Sequence, residues 1–404
     1  MKRMQAYRFQ LVTVPRQERQ LASAAGCRRF VFNRALSMQK ERLATGKKRL
    51  SYPELCKQLT NWRHDSKTSF LKEAPSQPLQ QALKDLDRAY TNFFEGRAQP
   101  PCFQKKGQKE RFRYPDGKQI KLDEKNSRIF LPKLGWFRYR NSRDVLGIVK
   151  NVTVSMESGK WYVSIQAERE VEIPASEEGS MVGIDVGVVR FATVSNGTVY
   201  EGPRSYRMYE KRLAKKQREL ARKKKRSANW KKQVKRIAKL HKKVRNIRRD
   251  FQHKTSAIIC KSHAVIVIED LKVQAMSKSA KGTLESPGKR VKQKSGLNKS
   301  ILDQGWYEFR RQLEYKSQWL GRKLVVVPAR NTSLACANCQ HVDKENRKTQ
   351  SKFCCVECKY EDNADLNAAK NILAAGRAVL ACGENPLGIL MKQEPSVSVA
   401  TVAA

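Results

Sequence analysis

The sequence is short of acidic residues and of long apolar runs. Among its 404 residues, 38 Asp and Glu stand against 83 Lys and Arg, a formal charge of 83 − 38 = +45. A chain so charged resists compaction unless a polyanion neutralises it, which leaves nucleic acid or an anionic membrane as the partner. Apolar runs such as Ala264–Ile268 and Leu324–Val327 fall far short of the ~18 residues that mark a membrane span. The opening MKRMQAYRFQ lacks the apolar stretch of a secretory leader, so a cytoplasmic protein is expected. No heptad repeat argues for a coiled-coil dimer, and a monomer is expected. With 40% hydrophobic residues the chain can still bury a core, which excludes wholesale disorder. Its length suits two or three domains.

Ten cysteines are present, unevenly spread. Cys27, Cys56, Cys102, Cys260 and Cys382 are isolated and read as small apolar residues. The other five lie within residues 336–358, as CANC (Cys336, Cys339) and CCVEC (Cys354, Cys355, Cys358). In a reducing compartment such pairs favour a metal over disulfides. Four thiolates at C-x₂-C spacing close a tetrahedral site suited to structural Zn²⁺. The polar segment between them, QHVDKENRKTQSKF, has too little apolar content to fold without such support. Cys355 pairs with Cys358 in the favoured reading; Cys354 at C-x₃-C spacing and His341 stay open as substitutes.

Secondary structure follows from periodicity. Tyr7–Val14 alternates as a strand ended by Pro15, and residues 18–45 carry apolar positions at helical spacing. Ser51-Tyr-Pro-Glu starts a second helix and Ser76 a third, with Leu79, Leu83, Leu86, Tyr90 and Phe94 on one stripe. Their basic residues could face a duplex, although a solvated helix face accounts for them equally well. From about 100 to 178 short strands take over (128–131, 149–155, 161–166), and with the first strand they predict a β-barrel carrying a helical insertion. The basic segment 104–109 with Arg111–Arg113 can meet phosphates. Phe112, Tyr114, Trp136, Phe137 and Tyr139 are candidates for stacking on bases, against the commoner role of packing a core.

The second half opens with the strand 181–185 (MVGID), followed by short strands at 191–194 and 198–200. Residues 204–254 then hold 23 Lys or Arg against three acids, with an intermittent apolar stripe. A helical hairpin breaking near Arg226 fits, and like charges at this density destabilise a free helix. Phosphate contact is therefore expected from Arg222, Lys223, Lys224, Lys225, Arg226, Lys231, Lys232, Lys235, Arg248 and Arg249. Ala264–Glu269 and 323–328 read as strands buried on both faces, as in a parallel sheet. Residues 272–300 lack periodicity and read as a mobile loop or lid, 301–321 as an amphipathic helix, and 363–375 as an Ala-rich helix. The tail from 385 is expected to be unpacked.

Three acids carry the chemistry. Asp185 and Glu269 each end a buried strand, and Asp365 opens the helix after the cysteines. Alone, an acid at a strand end is ordinarily just solvated. Converging on one sheet edge, three carboxylates can bind two Mg²⁺ ions, ~3.5–4 Å apart, for phosphodiester cleavage. Gly183 and Gly187 beside Asp185 would let a sugar-phosphate backbone approach.

The ordered motifs GIDVG, IED, TSLACANC, CVEC and DNADLNAAKNI, with CRRFVFNRAL, SYPELCKQLT, APSQPLQQALKDLDRAYTNFF and RRDFQHKTS, resemble the TnpB (OrfB) proteins of bacterial insertion sequences, compact RuvC-type nucleases related to type V CRISPR effectors. The resemblance covers the chain to about residue 380. It implies an α+β multidomain protein: an RNase H-like (RuvC) nuclease domain (179–331 and 362–384) split by a zinc ribbon (332–361), a β-barrel wedge domain (1–15 and 98–178) and a helical recognition insertion (16–97). It implies Asp185, Glu269 and Asp365 as the catalytic, Mg²⁺- or Mn²⁺-binding acids, with Asp270 and Asp362 ranked below them. Cys336, Cys339, Cys355 and Cys358 are the implied zinc ligands. The implied activity is RNA-guided DNA cleavage. A guide RNA derived from the transposon end reads a double-stranded DNA target, and the protein reads a short adjacent motif. Two alternatives remain: a guided repressor that binds without cutting, and a strand-transfer transposase.

Overall fold

A computed structural model of the chain describes residues 1–108, 110–172 and 180–382. The chain is a mixed α+β protein and divides into two compact units, Met1–Glu172 and Ile173–Ala404.

The first unit begins with strand β1 (Lys2–Val12), then helices α1 (Pro15–Ala44), α2 (Tyr52–His64) and α3 (Ser76–Phe94). Strands β2 (Arg111–Tyr114), β3 (Lys121–Asp123), β4 (Arg128–Leu131), β5 (Gly135–Tyr139), β6 (Ile148–Glu157) and β7 (Lys160–Glu170) follow. The seven strands pair in the order β2-β6-β7-β1-β5-β4-β3, every pair antiparallel. Alternation works as read: Tyr7, Phe9 and Leu11 enter a core with Phe137, Val163 and Ile165, while Arg8 between them is exposed. A separate core binds the helices, Val31 and Leu36 of α1 meeting Leu55 and Leu59 of α2 and Leu79, Leu83 and Leu86 of α3. Ser51 and Glu54 form the box that caps α2, with Pro53 in its first turn. Of the five aromatics considered for base stacking, Phe112, Tyr114, Phe137 and Tyr139 are buried in the sheet core. Trp136 alone is exposed, at 41%. Strand alternation turns it outward, opposite to the inward-facing Phe137 that follows it.

The second unit is a five-stranded sheet in the order β10-β9-β8-β11-β12. In chain order it contains β8 (Met181–Asp185), β9 (Ala192–Val194), β10 (Val199–Tyr200), α4 (Ser205–Ala221), α5 (Ala228–Ser262), β11 (Val265–Glu269), α6 (Val273–Met276), α7 (Val291–Gln304), α8 (Trp306–Trp319) and β12 (Lys323–Val327). The hairpin of β13 (Lys352–Cys354) and β14 (Glu361–Asn363) and the final helix α9 (Ala364–Ala381) complete it. Strands β8, β11 and β12 run parallel, and their near-continuous apolar character follows from burial on both faces. Ile184, Ile266 and Ile268 face Ile259 of α5 and Phe309 and Leu313 of α8. On the opposite face Val267, Val325 and Val327 pack with Ile372 of α9.

Two expectations are corrected here. Residues 272–300 are not one loop, because α6 and most of α7 lie within them. Helix α7 hides from periodicity because its first turns are polar; Lys294 and Asn298 hold it by donating to the backbone oxygens of Met276 and Ser277. The helix read over 301–321 is in fact two, broken at Gly305, whose φ of +69° L side chains rarely adopt. The tail from 385 and the segment 173–179 lie outside the described residues.

Close approach of α9 to the sheet depends on Gly183. A Cβ there would stand 2.3 Å from the Ala369 carbonyl oxygen and 2.5 Å from the Leu373 nitrogen, both backbone atoms. Gly183→Ala is therefore expected to lower stability by roughly 3 kcal/mol in urea unfolding. Gly296→Ala, in a helix with nothing within 4 Å of the new Cβ, should raise it by ~0.5–1 kcal/mol.

Candidate active site and metal centre

Strand register places the first two acids. Ile184 of β8 is paired with Ile268 of β11, so the next residues, Asp185 and Glu269, sit side by side at the carboxyl ends of adjacent parallel strands. Because side chains alternate, the faces of Gly183 and Val267 are also those of Asp185 and Glu269. That is the face covered by α9. Asp365 lies in the first turn of α9, where the Asn363 side chain caps the helix by accepting the Asp365 N–H at 3.1 Å. Arg190, from the β8–β9 connection, donates to the same Asn363 oxygen at 3.1 Å.

The three predicted acids meet electrostatically at Asp185. Burial, then the charges of Glu269 and Asp365, push its carboxyl up to about 7, against an opposing pull from Arg347. Burial also raises Glu269, which accepts a hydrogen bond from the Thr332 hydroxyl. Arg347 ion-pairs with Asp365 at 3.3 Å. Among the described residues the three acids do not come together as one group of mutually close ligand oxygens, one from each. Carboxylates brought to one sheet end, with burial raising Asp185 and Glu269, have the donor chemistry of a hard divalent cation site. The neighbouring acids are engaged elsewhere: Asp270 pairs with Arg310, and Asp362 with Lys370 and the Tyr360 hydroxyl.

The cysteine expectation resolves geometrically. The sulfurs of Cys336, Cys339, Cys355 and Cys358 all lie within 4.8 Å of one another. Cys354 belongs to β13 and is outside the group, and the His341 ring is likewise not a member, its carbonyl accepting the Cys336 N–H. The backbone N–H of Tyr360, with help from neighbouring thiols and Asn338, brings Cys358 down to about 6. The lowering favours the thiolate, the form a metal binds. Asn346, buried between the two knuckles, donates to the Leu334 and His341 carbonyls and accepts the Val356 N–H.

The basic hairpin forms as read, α4 and α5 joined by a turn at Arg226 (φ +68°) and capped by Ser227. Arg222, Lys224, Lys225, Arg226, Lys231, Lys232, Lys235 and Arg249 are exposed, and Lys223 is half-buried. Arg248 faces inward, donating to the Leu302 carbonyl and pairing with Asp303 at 3.6 Å.

Comparison with known proteins places the chain. Residues 163–280 match a family model described as "Probable transposase" (OrfB_IS605), and residues 306–372 match "Cas12f1-like, TNB domain". Over all 404 residues, spanning the whole of both chains, it is 55% identical to an Escherichia coli protein named "Putative RNA-guided DNA endonuclease InsQ". The chain belongs to the TnpB (OrfB) family. A family relative from Streptomyces pristinaespiralis, "Putative RNA-guided DNA endonuclease", is 33% identical over 97% of this chain and 93% of its own. The "CRISPR-associated endodeoxyribonuclease Cas12f1" of Sulfoacidibacillus thermotolerans is 25% identical over 53% of this chain and 50% of its own. Residues 1–48 match a model described as "Helix-turn-helix domain", although here they form β1 and the single long helix α1.

The family motifs contain residues whose work was invisible in the sequence. Thr332 and Arg347 touch two of the acids, from either side of the first cysteine pair. Asn367 and Asn371 are buried in α9 and bind the Ala335 carbonyl, with Asn371 also donating to Thr332. Two asparagines at i and i+4 in an Ala-rich helix were the available signal.

The quartet predicts an asymmetry between adjacent cysteines. Protein carrying Cys355→Ser should lose its zinc to background in metal analysis, with weakened helical circular dichroism. Cys354→Ser should retain both.

Proposed function

We propose that this chain is an RNA-guided DNA endonuclease of a bacterial mobile element, acting in the cytoplasm as a monomer and cutting double-stranded DNA beside a short adjacent motif. The observation that carries the reading is the gathering of Asp185, Glu269 and Asp365 around one end of a parallel sheet in a chain of charge +45. Ligands of open α/β sheets bind at the carboxyl ends of the strands. The printed names of the relatives agree with this function.

In this reading the second unit is a RuvC-like nuclease domain (179–331 and 362–384) interrupted by a zinc ribbon (332–361). In the first, a wedge barrel (1–15 and 98–178) carries the helical recognition insertion (16–97). Asp185, Glu269 and Asp365 hold Mg²⁺ or Mn²⁺, which when bound activates water and stabilises the leaving oxygen. Cys336, Cys339, Cys355 and Cys358 hold a structural Zn²⁺. The protein's own groups do the positioning. Thr332 fixes the Glu269 carboxylate, and Arg190 and Asn363 set the start of α9 and with it Asp365. Arg347 offsets the negative charge that Asp185 and Asp365 share. Because Asn367 and Asn371 tie the segment before Cys336 to α9, the ribbon acts as a clamp on the helix that carries Asp365. The exposed hairpin cations neutralise phosphates of the guide RNA and its DNA target.

The test begins with protein purified from cells that carry the element's flanking DNA, followed by sequencing of the bound RNA. That complex, with Mg²⁺, then meets a plasmid library holding the matched target beside randomised bases. One RNA matching the element's end, and cleavage beside a defined motif, are expected. Bound RNA without cleavage would instead indicate a guided repressor, which intact acids argue against. Integration of donor ends without RNA would indicate a transposase.

Asp185→Ala and Glu269→Gln should each slow cleavage by about three orders of magnitude, with target affinity in a filter-binding assay unchanged. Replacing Lys224, Lys225, Lys231 and Lys232 together by Ala should leave the fold intact. It should flatten the dependence of log Kd for the guide RNA on log salt by about 3.

A further inference from the structure

A cavity of about 820 Å³ opens beside Glu269 on the opposite side of the sheet end from α9. Glu269, at the end of β11, is among its lining residues, with Trp306, Tyr307, Phe309 and Arg310 of α8 and the two lysines Lys272 and Lys278. One feature separates it from an ordinary surface cleft. Tyr307 exposes 75% of its surface although it is aromatic and belongs to a packed helix, whereas its neighbour Trp306 is only 6% exposed.

We infer that this cavity receives one nucleobase of the DNA strand being cut, swung out of its stack beside the scissile phosphate. The inference rests on the nuclease reading and deepens it. A phosphodiester held at the carboxylates has its flanking base within one sugar of the strand, and the cavity opens at the same strand end, where Glu269 closes β11. The lining supplies what a base requires. Tyr307 presents an exposed aromatic face beside the apolar side chains of Val186, Ile268, Leu271 and Phe309. Lys272, Lys278 and Arg310, also in the lining, suit its phosphate, Arg310 having Asp270 as its partner in the free protein. Since every base offers an aromatic face, the site holds a nucleotide without selecting its identity. Seating the base fixes the sugar-phosphate at the acids, so Tyr307 is a positioning residue.

Two measurements decide it. In the first, DNA strands carrying 5-iodouracil at successive positions are bound to the full chain purified with its RNA and irradiated. The attachment site is read by mass spectrometry. An adduct on Tyr307 or Trp306 from one position is expected; adducts confined to hairpin lysines, or none, overturn the inference whether or not the protein cuts. In the second, single-turnover cleavage is followed on targets with an abasic nucleotide at each position around the cut. One abasic position should slow the wild type roughly tenfold, the size of one lost stacking contact. Tyr307→Ala should slow the intact target by the same factor and the abasic target no further, with target affinity unchanged. Abasic targets cut at the normal rate, or effects that multiply, overturn the inference. A wild type that cuts no target strikes the nuclease reading instead, and the cross-link still decides the cavity.

Discussion

Three carboxylates repel one another, and the organisation of the second unit is the means by which they are kept together. Parallel pairing of β8 with β11 puts Asp185 and Glu269 at equivalent places on neighbouring strands. The third acid arrives on α9, which reaches the sheet only because Gly183 presents no side chain to the backbone of Ala369 and Leu373. The electrostatic cost of the arrangement is visible at Asp185, whose carboxyl rises to about 7. Arg347 and the Thr332 hydroxyl offset part of the accumulated charge and the burial.

The cysteine ribbon belongs to the same arrangement. Its four sulfurs gather a segment too polar to fold around a core of its own, which contains little beyond Phe353, Ala364 and two of the cysteines. Through Asn367 and Asn371 the segment before the first knuckle is fastened to α9. Arg347, carried between the cysteine pairs, is thereby delivered to Asp365. The sulfur quartet and the charge at the acids are thus linked through one helix, with the ribbon stabilising the position of a residue it does not contain.

The basic hairpin shows a division of labour that composition conceals. Most of its cations point to solvent, where they can neutralise phosphates, but Arg248 is turned to the carbonyl of Leu302 and to Asp303. A run of positive charge is therefore part solvent-facing and part scaffold. Burial separates the two.

The sequence alone determined the features that depend on local spacing. The strands ending in Asp185 and Glu269, the two C-x₂-C pairs, the hairpin break at Arg226 and the Ala-rich helix opening with Asp365 were all legible, because periodicity and turn chemistry act over a few residues. Family motifs added the order in which these pieces occur. Tertiary structure decided what spacing leaves open. It chose Cys355 over Cys354, since only one of two adjacent residues on an extended chain can face the sulfur cluster. It buried Phe112, Tyr114, Phe137 and Tyr139 and left Trp136 outside. It built α7 from a polar stretch whose anchors, Met276 and Ser277, lie about 20 residues away in sequence. It also brought Thr332 and Arg347 to the acids, contacts that span 63 and 18 residues. Those choices are made by long-range packing and by charges meeting across the fold, and neither leaves a period in the chain.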